Sequence, residues 1–209
     1  MTRAVFLDAL GTLVELEPPW VSLRKRIPAE VSDERLVAAV RVEMCYYREH
    51  AHEGRDAASL ADLRERSARL ISRELDVEVS ADDLVESVRM SAYPDAVPAL
   101  TALRRRGLRL VAVSNWDCSL GTVLERCGLA ELLEGAVSSA EAGAAKPDPA
   151  IFAAALELVG CPPAEALHVG DTPEEDVIGA EAAGIRALLL DRDGTDGDIS
   201  SLTEIEEHL

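Results

Sequence analysis

The sequence predicts an α/β fold, a Rossmannoid parallel sheet with an all-helical insertion after its first strand. Three observations carry this reading. A short apolar run, Ala4-Val5-Phe6-Leu7, stops at Asp8 and is followed by Gly11-Thr12, the pattern of a buried strand ending in a loop. Between residues 20 and 93 the apolar residues recur at helical spacing. From Ala96 onward, strand-like and helix-like stretches alternate, which implies right-handed βαβ units and a parallel sheet.

Each element has its own signal. After the first strand, Pro18-Pro19 breaks the chain. Leu36, Val37, Val40 and Met44 then define one helix, Leu60, Leu63, Ser67, Leu70 and Ile71 a second, and Leu84, Val85 and Val88 a third. Ser32 and Ser80 precede acidic first turns and read as N-caps. Tyr93-Pro94-Asp95 marks the return, so residues 1–16 and 94–209 are expected to form a core and 17–93 an appended helical unit. In the core, helices are expected over 97–106, 120–127, 149–159 and 174–183, each followed by glycine. Strands are expected over 108–113, 135–138, 166–169 and 185–190, and a weak helix over 202–209.

Composition narrows the partners. The 209 residues are 48% hydrophobic and 29% charged, ordinary values for a globular chain. The 21 basic and 39 acidic side chains give a formal net charge of −18, which repels nucleic acid and anionic membranes. A small anionic substrate is compatible with that charge, because a metal ion and a few placed cations reverse its sign locally. Cys45, Cys118, Cys127 and Cys161 form no CxxC pair, so neither a disulfide framework nor a zinc site is indicated. No apolar run approaches a membrane span or a signal h-region, and a cytoplasmic location is expected.

The chemistry sits at the predicted strand ends. Residues 108–113 run into Ser114-Asn115, residues 166–169 run into Gly170-Asp171, and Lys146-Pro147 stands before the helix that starts at Pro149. In a parallel sheet all carboxyl ends lie on one side, so Asp8, Ser114 and Asp171 are expected to converge there. Carboxylates, a hydroxyl and a lysine form a set suited to an anionic group bound beside a divalent cation. Other polar residues read more simply. His168 lies inside a strand and is expected to be a core histidine, and Lys25 a surface charge. Trp116 and Asp117 are placed to shape a pocket mouth or to pack against the helical unit.

In this order the motifs resemble the haloacid dehalogenase-like hydrolase superfamily over essentially the whole chain. DALGTL at Asp8 resembles its first motif, VSN at Ser114 its second, KPDPAIF at Lys146 its third and HVGDTPEEDVIGA at Asp171 its fourth. The insertion resembles that superfamily's helical C1 cap, and the motifs are closest to its phosphatase-like branch. The resemblance implies Asp8 as a nucleophile that forms an aspartyl-phosphate. It implies Mg²⁺ held by Asp8, the backbone carbonyl of Leu10 and Asp171, with Asp176 completing the surroundings of the metal. Lys146 and Ser114 would neutralise and bind the transferring group, with Thr12 and the backbone N–H groups around Gly11, and Asn115 would line the site.

One residue departs from that pattern. The phosphatase motif carries a second aspartate two residues after the nucleophile, as general acid and base, where this chain has Leu10. Three readings therefore stand at this point: a Mg²⁺-dependent phosphatase favouring good leaving groups, a metal-free 2-haloacid dehalogenase, and a binding protein of low or no activity. Arg41, followed by Tyr46-Tyr47, resembles the arginine-bearing helix of the dehalogenases and would bind a substrate carboxylate. The same arginine also reads as an ordinary solvated helix face.

Overall fold

The computed structural model describes residues 1–209. Its centre is a five-stranded parallel sheet in the order β5-β4-β1-β6-β7. The strands are β1 (Ala4–Leu7), β4 (Arg109–Ser114), β5 (Gly135–Ser138), β6 (Ala166–Gly170) and β7 (Arg186–Leu189). β1 is central and buried throughout. Successive side chains of a strand point to opposite faces, so its four residues feed two separate cores. Val5 and Leu7 enter the larger cluster with α5 (Ala96–Arg105) and α6 (Leu120–Arg126), together with Leu202 and Ile205 of the C-terminal 3₁₀ turns. Ala4 and Phe6 enter the other, against Ile151, Phe152, Ala155 and Val159 of α8 (Pro149–Val159) and Ala180 of α9 (Gly179–Ala182). Helices therefore cover both faces, as an all-parallel sheet requires.

The register aligns the strand ends. Leu7 pairs with Ala112 of β4 on one side and with Val169 of β6 on the other. Asp8, next along the chain, donates its N–H to the Val169 carbonyl at 2.9 Å. From β1 the chain passes to β4 and β5 on one side, then crosses back to β6 and β7 on the other. Asp8 thus stands where the strand order reverses, the position at which open α/β sheets form their crevice.

A separate apolar cluster is built from α1 (Pro19–Leu23), α2 (Asp33–His50), α3 (Ala57–Leu75) and α4 (Ala81–Ser87). Leu36, Val40, Ile71, Leu75 and Leu84 are buried in it, in line with the helical spacing. Ser32 accepts from the Arg35 N–H, and Ser80 forms a reciprocal capping box with Asp83, so both expected N-caps are in place.

The helical reading runs too far at its end. Met90–Ala92 is a strand, β3, paired antiparallel with β2 (Val14–Leu16), and Val88 is already extended. The chain enters and leaves the helices through this two-stranded ribbon. Three-residue strands show too little alternation for periodicity to register. A second difference lies at 174–183, where Pro173–Ile178 forms a π-helical turn that runs into the short α9. No helix is long and apolar enough to cross a membrane.

Candidate active site

Asp8, Ser114, Lys146, Asp171 and Asp176 meet at the carboxyl edge of the sheet. Lys146 donates to Asp8 Oδ1 and to Asp176 Oδ1, each at 2.5 Å, and Ser114 Oγ donates to the same Asp8 oxygen at 2.9 Å. Asp8 Oδ1 is thereby fixed from two sides, while Oδ2 has no protein partner and is left for other chemistry. The Lys146 side chain is 1% exposed, and a buried ammonium is tolerable only with such pairing. Burial works against its charge, but Asp8 and Asp176 outweigh it and hold its pKa above the ordinary value. Burial pushes Asp8 up and Lys146 pulls it down, with Asp176 adding an upward push that leaves it above the usual carboxylate range.

Asp176 is engaged on both oxygens. Besides Lys146, Oδ1 accepts from His168 Nε2 at 2.9 Å, and Oδ2 accepts from the Thr172 N–H at 3.0 Å. Burial raises Asp176, yet His168 and Lys146 prevail and hold it well below the usual range. It therefore holds Lys146 and the loop after β6 in place, which suits the surroundings of a metal site. His168 is fully buried and meets Phe152 edge-on, the core position expected of it. Its bond to Asp176 was not legible, because it joins a strand to a turn eight residues later that only the fold brings beneath it. Burial lowers the His168 pKa, so the ring is neutral and donates through Nε2.

The carboxylate oxygens of Asp8, Asp171 and Asp176 lie within 4.8 Å of one another. Three acids against one lysine leave a local surplus of negative charge, and hard oxygen donors fit Mg²⁺. Asp171 is packed against the backbone: a Cβ built on Gly11, whose φ is +88°, would lie 2.2 Å from Asp171 Oδ2. Only glycine allows that approach and that backbone conformation together. Burial, then the charges of Asp8 and Asp176, push Asp171 up to about 6. This sets a pH dependence. An unfolded aspartate titrates near 3.9, so the metal-free fold holds an extra proton on Asp171 and loses that contribution as pH rises through about 6. A divalent cation held by this cluster would compete with that proton. The gain in melting temperature on adding Mg²⁺ is expected to be larger above about pH 7 and to shrink as pH falls to about 5. Thermal unfolding across that range checks it.

Other expected residues are placed differently. The Gly11 N–H bonds to the Val14 carbonyl at 2.9 Å and the Thr12 N–H to the Ala9 carbonyl at 3.3 Å. Of the donors expected to meet phosphate oxygens, these two N–H groups are engaged by the loop's own turn. Thr12 is fully buried, with its hydroxyl unpartnered. Asn115 spends its side chain on Lys146, accepting from its N–H at 2.7 Å and donating to its carbonyl at 2.9 Å, and it also donates to Glu175. It anchors the lysine loop, and it also lines a cleft of about 360 Å³ together with Arg48, Ser139 and Glu175. Arg41 is exposed on α2, its guanidinium 6.0 Å from the Trp20 ring, outside this network. Leu10 is 41% exposed beside the crevice.

The helical unit touches the core near the same edge. Tyr47 donates to Asp117 at 2.7 Å, Arg48 pairs with Glu175 at 2.8 Å, and the Cys118 N–H bonds to the Gly54 carbonyl at 2.8 Å. Of the two roles open to Asp117, packing against the helical unit is the one realised.

Comparison with known proteins follows the same lines. Residues 2–184 match the family model of haloacid dehalogenase-like hydrolases. Over 108 residues the chain is 43% identical to a phosphoserine phosphatase of Thermus thermophilus, a stretch covering 51% of this chain and 43% of that one. The chain spans about half the length of the curated relatives it matches. The fold is similar to a crystal structure of a phosphatase from Thermococcus onnurineus, with TM-score 0.71, 23% identity and coverage of 99% and 97% of the two chains. It is equally similar to L-2-haloacid dehalogenase from Xanthobacter autotrophicus, with TM-score 0.73, 22% identity and coverage of 99% and 98%. At these identities the two structures speak to the fold alone.

Proposed function

Because the chain belongs to the haloacid dehalogenase-like hydrolase family, we propose that it is a Mg²⁺-dependent phosphatase of a small phosphorylated metabolite, working through an aspartyl-phosphate on Asp8. The observation that carries this reading is the carboxylate cluster of Asp8, Asp171 and Asp176 within 4.8 Å, wrapped around a single buried lysine. Carbon–halogen displacement needs no metal ion, so a cluster of three acids favours the phosphatase reading. The phosphatase relative supports the same choice.

In this mechanism Asp8 Oδ2 attacks phosphorus in line, and the bond to the leaving oxygen breaks. Lys146 and Ser114 hold the other oxygen of Asp8 and so fix the direction of attack. The Lys146 ammonium stays charged throughout and neutralises the transferring group. Asp8, the Leu10 carbonyl and Asp171 would hold Mg²⁺, which when bound supplies Lewis-acid stabilisation of the phosphoryl oxygens. Water then cleaves the aspartyl-phosphate, returning Asp8. Nothing at position 10 protonates a departing alkoxide, so substrates whose leaving group departs as a stable anion, acyl phosphates above all, are favoured. Residues 17–93 act as a cap over the strand ends and exclude bulk water, with 1–16 and 94–209 as the core. The net charge of −18 keeps nucleic acid and anionic membranes away, in keeping with a cytoplasmic enzyme of small anionic substrates.

The test is a panel of alkyl phosphomonoesters, acyl phosphates and 2-haloacids, each with Mg²⁺ or with EDTA. Phosphate release that requires Mg²⁺, fastest on acyl phosphates, is the expected result. Halide release that persists in EDTA would replace this reading with the dehalogenase one, and silence on every substrate would favour a binding protein.

A further inference from the structure

We infer that Arg192 is a positioning residue that sets the place of Asp171 by holding the backbone loop after β1. This rests on the phosphatase reading for its consequence, though not for its geometry. Arg192 follows β7 and belongs to none of the motifs. Its Nε donates to the Gly11 carbonyl at 3.1 Å, one terminal nitrogen to the Thr12 carbonyl at 2.6 Å, and the other to Asp95 Oδ2 at 3.1 Å. The guanidinium also lies 3.6 Å from the centre of the Tyr93 ring. A planar fork with diverging donors is the one side chain able to make these contacts at once.

One pinned carbonyl belongs to Gly11, which touches the acidic cluster, and the other to its neighbour Thr12. Gly11 approaches Asp171 so closely that no Cβ fits between them. A shift of the Gly11 peptide therefore moves into, or away from, the Asp171 carboxylate. The loop's own hydrogen bonds use the Gly11 and Thr12 N–H groups and leave both carbonyls pointing outward, where Arg192 takes them. Arg192 and Asp171 also line one cleft of about 490 Å³, together with Gly11 and Tyr93. Asp95, the third partner, accepts from Ser201 Oγ and the Leu202 N–H as well, and so ties in the C-terminal turns. Two roles can thus be separated: the bonds to Gly11 and Thr12 bear on the cluster, and the bond to Asp95 bears on the C-terminal anchor.

The experiment compares Arg192→Met, Arg192→Lys and Asp95→Asn with the wild type by calorimetric titration with Mg²⁺, thermal unfolding and crystal structures without metal. Both Arg192 variants are expected to bind Mg²⁺ more weakly by about 10–100-fold, the range found when groups supporting metal ligands are lost, with the Gly11 peptide displaced. Lysine keeps the charge, so its failure to rescue isolates the fork geometry. Asp95→Asn is expected to lower the melting temperature yet keep Mg²⁺ affinity within about twofold. Wild-type affinity in either Arg192 variant, or an equal loss in Asp95→Asn, would overturn the inference. If the wild type binds no Mg²⁺, the phosphatase reading falls. The crystal structures then decide Arg192 separately, an unmoved Gly11 in Arg192→Met and Arg192→Lys counting against it and a displaced one for it.

Discussion

Replacing Leu10 by aspartate is expected to raise turnover of alkyl phosphomonoesters by about 10²–10⁴-fold, the ordinary worth of a placed general acid and base. Leu10 is two residues beyond Asp8, at the mouth of the crevice, and its side chain is substantially exposed. A carboxylate there loses little packing and stays in contact with water, so the folded state tolerates it. Its cost is electrostatic, one more negative charge beside Asp8 and Asp171, and Mg²⁺ offsets part of that. The effect is selective. Acyl phosphates leave without a proton, so their first step should change little, whereas alkyl esters should gain most. Initial rates on one substrate of each kind, in both proteins, decide the matter. Equal rates on the alkyl ester would show that Leu10 is not what limits the reaction.

Replacing Lys146 by methionine is expected to lower turnover by at least about 10²–10³-fold, the effect of removing one aimed donor from a developing charge. Its effect on stability is of equal interest. Lys146 is the only cation between two buried carboxylates, and methionine leaves them facing each other across an apolar chain. Breaking a buried pair from one side costs about 3–5 kcal/mol, and here two carboxylates lose their counter-charge while keeping only the neutral donors Ser114, His168 and the Thr172 N–H. The melting temperature of the metal-free variant should fall steeply, and it should recover in part at low pH as the carboxylates protonate. A variant that melts like the wild type would mean that the acids do not depend on the lysine. Asp8→Asn serves as the comparison, since it removes the nucleophile while retaining an oxygen for Lys146 and Ser114.

Much of this arrangement could be read from the chain, and the limits have physical causes. Asp8, Ser114 and Asp171 were legible because each ends an apolar run, and the geometry of a parallel sheet alone brings such ends together. Lys146 sits in a loop, where no periodicity fixes direction, so only its motif pointed to the site. The turn that engages the Gly11 and Thr12 N–H groups is not legible for a related reason: a sequence shows that an N–H exists but not which neighbouring carbonyl takes it. Asp117 is legible as a contact to the helical unit, but its partner Tyr47 and the role of Arg192 are beyond reach, because those contacts join segments about 70 to 180 residues apart, through loops whose paths no local pattern encodes.

The ribbon of β2 and β3 carries a consequence for how such a protein diversifies. Val14 faces Ala92 and Leu16 faces Met90, so the outgoing and returning chains are neighbours before the helices begin. The central sheet meets the same two strand ends whatever lies beyond them. Closing a longer excursion costs only a slowly growing loop entropy, so helices can be added, lost or exchanged there with little demand on the core. On the cap reading proposed above, substrate preference would then be set by one continuous segment of the chain and bond cleavage by the residues on either side of it.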